Sequence, residues 1–248
     1  MRMSKRDFLA LSGASAGAAL IGGCKPAPVA EAKIEEKPRL KSIVGDVAPI
    51  SVEERLSRVE KAQRLMQENN IDAILLEPGS AMLYFSGVSW WRSERLTTVV
   101  IPREGDIAVV TPFFEEPSVR ESMTFGDDVR TWNEHESPFE RVAGILKDRN
   151  IQGGRIGLEE TVRYFVVDGM KKAAPSIEIV SATPVTQGCR MYKSAAETAL
   201  MKKANEITLT AYEHVYRNLE AEMEPGDVKA LMASAQSQLG GVGIWNMA

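Results

Sequence analysis

Two short stretches hold most of the residues that could do chemistry. In TWNEHESP, Thr131 to Pro138, His135 stands between Glu134 and Glu136. Flanking carboxylates raise the pKa of an imidazole, so such a triplet can hold a proton or offer ligands to a metal. The same composition also makes a solvated turn ahead of a helix. In WWRSERL, Trp90 to Leu96, two indole rings crowd together with Arg92, Glu94 and Arg95 just before an apolar run. Arginine and tryptophan can clamp a carboxylate or an apolar side chain. They serve equally well in a loop that covers a sheet edge or meets another chain.

The remaining candidates are weaker. Glu115-Glu116, Asp127-Asp128 and Glu159-Glu160 are adjacent pairs, so on a helix or strand their carboxylates diverge instead of sharing a proton. The first and last pairs sit where helix N-termini favour negative charge. His135 and His214 are the only histidines, and Cys24 and Cys189 the only cysteines. They are too few and too scattered for an HExxH zinc site or a disulfide framework. His214 lies one position off an apolar helical stripe and reads as a partly exposed structural residue. Cys189 reads as a buried apolar thiol. GxSxG, Walker and GxGxxG motifs are absent. With 30 Lys and Arg against 34 Asp and Glu, the net charge of −4 gives no polyanion-binding footprint, so nucleic acid is not an expected partner.

These residues must be positioned by an α/β scaffold between about 51 and 190. Ser51 and Glu54 form a capping box, and Val52, Leu56, Val59, Ala62 and Leu65/Met66 line one helical face that ends at Asn69-Asn70. IDAILLE reads as a buried strand. LTTVVIP, REGD and IAVVTP read as strand, tight turn and strand. EEPSVRESM, SPFERVAGILKDRN and ETVRYFVVDGMKKAA read as helices, and DVRTW, GRIGLE and SIEIVSAT as strands. Alternating elements plus one hairpin predict a mixed β-sheet flanked by helices. Ser194 and Glu197 make a second capping box. From there Leu200, Ala204, Ile207, Ala211, Val215 and Leu219 stripe a long helix, which EPGD stops. Asp227 then caps another helix, striped by Val228, Leu231, Met232, Ala235 and Leu239, and VGIWNMA opens a strand.

Ahead of the scaffold the composition changes twice. MRMSKRDFLALSGASAGAALIGGC has a basic start and a mildly apolar run from Ala10 to Ile21, too short to span a bilayer. SKRDFL resembles the twin-arginine export motif through Lys5, Arg6, Phe8 and Leu9, with Lys5 in place of the first arginine. LIGGC resembles a bacterial lipobox, which would acylate Cys24 and tether the protein to a membrane; the alternative is a plainly cleaved signal. Residues 1–24 are therefore expected to export the chain to the periplasm or cell envelope. Residues 25–50, rich in Pro, Ala, Glu and Lys, are expected to form a semi-extended linker.

One larger pattern runs through residues 52–248. Arg190-Met191, Lys193-Ser194 and Glu197, followed by Leu200-Met201 and Ala204, resemble the domain junction of the creatinase/prolidase/aminopeptidase P family. YFSG, VVIPREGD, VVTPFFEEP, RIGLEE and MEPGD stand in the order that family shows. The resemblance implies an N-terminal mixed α/β domain over 51–190, handing over at 191–248 to a "pita-bread" metallopeptidase domain. It implies hydrolysis of peptide bonds preceding proline, with two divalent ions (Mn, Zn or Co) held by two Asp, one His and two Glu. It also implies a homo-oligomer through the N-terminal domain, which can reach toward a neighbour's active site, so WWRSERL could narrow substrate access there. No position here matches any of the five ligands. The chain is thus expected to carry the first two helices of a catalytic domain, to hold no cofactor and to be inactive alone. Two other readings stay open: a non-catalytic envelope module for binding or oligomerisation, and non-peptidase chemistry of the creatinase or lyase kind.

Overall fold

IDAILLE and LTTVVIP are apolar without a break at their inner residues, Ala73 to Leu76 and Val99 to Ile101, which is the pattern of strands covered on both faces. They form β1 (Ala73–Leu76) and β2 (Thr98–Pro102), the centre of a six-stranded sheet completed by β3 (Ala108–Pro112), β4 (Asp128–Trp132), β5 (Arg155–Leu158) and β6 (Glu178–Ser181). A computed structural model describes residues 39–242 of the chain. Residues 1–24, the first part of the linker and nearly all of VGIWNMA lie outside them. The strand order is β4-β3-β2-β1-β5-β6. β2 is antiparallel to both β1 and β3, while the other neighbours run parallel. The sheet is mixed, as the alternation of elements predicts.

Strand alternation sorts the core into two layers. Ile74, Leu76, Val99, Ile101 and Val109 face one side. There they meet Val59, Ala62 and Met66 of α1 (Val52–Glu68), Met82 and Phe85 of α2 (Ser80–Ser86), Val119 of α3 (Glu116–Ser122), and Cys189. Ala73, Leu75, Val100, Ala108 and Val110 face the other side. They pack on Val142, Ile145 and Leu146 of α4 (Pro138–Asp148) and on Val166 and Met170 of α5 (Tyr164–Ala173).

Two short helices are not foreseen by the sequence reading. In α2 the run MLYFS shows no helical stripe, and the helix stops at Gly87 with φ +80. A Cβ there would come within 2.7 Å of Thr124 Oγ1, so only glycine fits both backbone and neighbour. The other, α6 (Thr183–Arg190), lies where the sequence reading assigns no element and carries Cys189 inward. Cys189 is 1% exposed, and burial pushes its thiol up to about 11. In a Cys24→Ser variant at about pH 8, iodoacetamide should label no thiol in the native protein and one after unfolding in urea. Rapid native labelling would show that α6 opens.

Two further helices follow, α7 (Ala195–Arg217) and α8 (Pro225–Gln238). Ile207, Ala211 and Val215 pack on Met232, Ala235 and Leu239, so the middle of the expected stripe holds. Its ends do not. Ala204 is exposed, while Lys203 turns inward to Asp46 at 3.0 Å and Glu206 at 2.5 Å. Leu219 lies beyond the last helical residue and is half exposed. At α8 the N-cap is Glu224, not Asp227, because Pro225 takes the first helical position. The Asp227 carboxylate instead accepts the Glu224 N–H at 3.0 Å.

The second part of the expected linker is not a free stalk. Leu40, Ile43 and Val44 pack onto the α7–α8 hairpin, and the Ile43 N–H donates to Leu239 O at 3.1 Å. Gly240, at φ +98, lets this strap approach: a Cβ would sit 2.9 Å from Val44. The apolar residues that make the strap are spaced too irregularly to register as periodicity.

Candidate functional site

Glu77 follows β1 and Glu159 follows β5, and these strands are parallel neighbours. Their C-terminal ends are where open α/β sheets place polar groups and ligands. Both carboxylates are buried, at 1% and 8% exposure. Glu77 is held by Arg163, whose backbone N–H donates at 2.9 Å and whose Nη2 and Nε donate at 2.7 and 3.0 Å. Glu159 accepts from Thr161 Oγ1 at 3.0 Å and from Arg92 Nη2 at 3.4 Å. Burial outweighs those partners, and the Glu159 pKa is raised.

This buried pair organises WWRSERL. Arg92 donates from Nε to Pro78 O at 3.0 Å and from Nη2 to Thr161 at 2.7 Å, while Arg163 donates to Ser93 O. Arg95 pairs with Glu94 and, at 2.7 Å, with Glu134, and lies over the Phe114 ring. Trp90 donates from Nε1 to Glu115 at 3.2 Å, an acceptor shared with Thr97. Both arginines of the motif therefore already have partners within the chain. What the loop presents outward is Trp91, 68% exposed and stacked on Trp90 with centroids 5.0 Å apart. Phe113 and Phe114 of the neighbouring turn are each 60% exposed.

His135 does not join this cluster. It is exposed in the turn before α4. Glu134 turns to Arg95, and Glu136 turns to Arg141 and Asn133. The other acidic pairs also part company: Glu115 accepts from Trp90 and Glu116 from Arg120, while Asp128 pairs with Arg130 and Arg149. The export residues Lys5, Arg6, Phe8 and Leu9, and Cys24, lie outside the described residues.

Glu159→Gln isolates the buried charge. A raised folded-state pKa stabilises the fold fully below the unfolded pKa of about 4.3, and that contribution is lost as pH rises through the folded value. Urea midpoints measured from about pH 4 upward should therefore fall more in the wild type than in the variant. Equal slopes would mean that Arg92 already compensates the charge.

The junction motif forms a second polar cluster. Ser194 Oγ accepts the Glu197 N–H at 3.1 Å, and Glu197 Oε2 accepts the Ser194 N–H at 3.0 Å, the capping box expected for α7. Ser194 Oγ also donates to Glu54 Oε1 at 2.7 Å, so the Glu54 side chain serves α7 and does not close the box on Ser51. Arg58, 7% exposed, reaches Glu54 at 2.7 Å and Glu197 at 3.7 Å and lies over the Tyr84 ring at 4.0 Å. The start of the long helix is thus latched to α1.

A family model described as the creatinase/prolidase N-terminal domain matches residues 58–192, more than half of the chain. The chain belongs to the creatinase/prolidase family. An uncharacterised peptidase of Schizosaccharomyces pombe is 27% identical over 79% of this chain and 44% of its own length. The ectoine hydrolase of Halomonas elongata is 23% identical over 77% of this chain and 50% of its own. In fold, the crystal structure of dipeptidase PepE from Mycobacterium ulcerans superposes with a TM-score of 0.69 at 24% identity, covering 79% of this chain and 52% of that one. The chain spans about half the length of the curated relatives it matches.

The metal ions implied by membership of the creatinase/prolidase family need several converging ligands. Among the described residues no three His, Cys, Asp or Glu side chains converge as a metal site. The buried acids Glu77 and Glu159 are taken by Arg163 and Arg92.

Proposed function

We propose that this chain is the N-terminal portion of an exported, envelope-tethered Xaa-Pro peptidase, whose metal site and peptide hydrolysis require sequence beyond residue 248. The observation that carries this reading is α7. Its N-terminus is latched to the family domain and one face is covered by α8. Its opposite side leaves Leu209, Tyr212 and Tyr216 more than half exposed. Apolar surface of that extent on one helix is the mark of an interaction site. A catalytic domain built on α7 and α8 would cover it.

In this reading the α/β domain contributes assembly and access. Trp91, Phe113 and Phe114 form a fixed aromatic edge, because Arg92 and Arg163 bond backbone carbonyls beneath it and Glu115 holds the Trp90 indole. Such an edge suits contact with a second copy of the chain, narrowing the approach of peptides to the neighbour's site. Trp91→Ala in a protein extended by the downstream coding sequence tests this, since Trp91 is not one of the anchors. Unchanged oligomeric state together with unchanged kcat/KM on a Gly-Pro dipeptide would sink the role.

The activity itself is tested by assaying Gly-Pro hydrolysis with added divalent metal in the 248-residue chain and in the extended protein. Turnover in the extended protein alone is the expected result. A stop codon directly after Ala248 in the source DNA would favour the non-catalytic envelope module. One observation favours non-peptidase chemistry: a relative described as an ectoine hydrolase matches nearly as much of this chain as the peptidase does, 77% against 79%. Hydrolysis of ectoine by the extended protein without Gly-Pro hydrolysis would establish it.

A further inference from the structure

We propose that the cavity where α1, α2, α6 and the start of α7 meet binds a small carboxylate with an apolar body, of the size of an acylated leucine. The cavity is an open cleft of about 700 Å³, within the range that holds small ligands. It lies apart from the WWRSERL cluster, and neither the family membership nor the proposed peptidase activity accounts for it.

Its lining is mainly positive: among the described residues Glu197 is the only carboxylate in it, and that carboxylate faces Arg58. Arg55, Arg190 and Lys193 line it, and among the described residues none of the three has a carboxylate within ion-pair distance. Arg58 also contributes to the lining, but Glu54 and Glu197 neutralise it. Arg55 donates to Leu83 O, Arg190 to Ser80 Oγ at 2.9 Å and Lys193 to Arg190 O. Each therefore holds a fixed position with donors to spare, since a guanidinium carries five N–H groups and an ammonium three. Ser80 and Leu83 both belong to α2, so both guanidinium groups are tied to that one helix in the wall of the cavity. Paired guanidinium donors match the two oxygens of a carboxylate.

The rest of the lining sets the body of the ligand. Leu83, Leu200 and Met201 supply apolar wall, and Leu83 and Met201 are about half exposed. An inorganic anion would satisfy the cations and leave that wall wet. A neutral apolar molecule would cover the wall and leave three cations unmatched. An apolar body ending in a carboxylate satisfies both.

The test is calorimetric titration of the full 248-residue chain with N-acetyl-leucine, N-acetyl-leucinamide and inorganic phosphate. N-acetyl-leucine is expected to bind at millimolar concentration. The amide, which lacks the charge, should bind at least about tenfold more weakly, as expected for loss of a charge-assisted hydrogen bond. Arg190→Gln/Lys193→Gln should weaken N-acetyl-leucine by a similar factor, while Lys202→Gln, outside the cavity, should not. Equal binding of acid and amide overturns the proposal, and so does no binding at all. Phosphate binding as tightly as N-acetyl-leucine also overturns it, leaving only an adventitious anion site. The acid-to-amide comparison uses the unaltered protein, so a misfolded variant does not shield the proposal.

Discussion

Arg163→Ala is expected to destabilise the α/β domain by about 3–5 kcal/mol, the range seen when one partner of a buried ion pair is removed. Glu77 is 1% exposed and takes two side-chain hydrogen bonds and one backbone hydrogen bond from Arg163. Alanine would leave the carboxylate with the backbone donor alone. The reverse change, Glu77→Ala, should cost less, because the Arg163 side chain is 31% exposed and water can take over. That asymmetry is the useful readout. A ledger of contacts predicts equal losses from the two deletions, whereas desolvation predicts that the buried side of the pair is the expensive one to strand. The double variant Arg163→Met/Glu77→Gln removes both charges and should recover most of the loss. Urea unfolding of the three proteins decides the matter; equal destabilisation by the two single variants would remove the desolvation argument.

The same variant reaches the aromatic surface loop. Arg163 also donates to Ser93 O, in the middle of WWRSERL. Its removal should loosen that loop before the domain unfolds, visible as faster amide exchange over residues 88–97. Buried polar pairing is here a means of fixing where Trp91 points.

How much of this was legible follows from the range of each interaction. Strand runs such as IDAILLE and capping boxes such as Ser194-x-x-Glu197 are local, and both stand where the sequence places them. WWRSERL is recognisable as a loop with binding chemistry, but the partners of its arginines are not. Arg92 bonds a carboxylate 67 residues away, and Glu77 bonds an arginine 86 residues away. The signal for Glu77 is a lone acid closing an apolar strand before Pro-Gly, meaningful only once Arg163 is known to face it. The strap at 40–44 is a case of another kind: its three apolar contacts lie in a Pro-, Glu- and Lys-rich segment whose composition reads as linker. The α7–α8 residues that bury it are nearly 200 positions away.

Arg58→Ala is expected to release the long helix from the domain. Arg58 lies 8% exposed between Glu54 and Glu197, which are themselves 22% and 17% exposed. It also donates to Tyr84 O at 3.0 Å and covers the Tyr84 ring. Alanine would leave two carboxylates facing each other across the junction, so repulsion adds to desolvation. A loss of about 3 kcal/mol, the lower end for a broken buried pair, is appropriate because both acids retain some access to water. The loss should concentrate at the junction. Amide exchange should rise over Ser194 to Ala204 while β1, β2 and β5 stay protected, because α7 adds little to the sheet's own core. Neutralising all three as Glu54→Gln/Arg58→Met/Glu197→Gln should restore protection if charge is the cause. Persistent fraying in that triple variant would assign the latch to the cation–π contact and the packing of the Arg58 stem instead. Uniform exchange across sheet and helix would mean that the junction and the α/β domain unfold as one unit. In that case α7 would be part of the N-terminal domain's own fold, and not a lever attached to it.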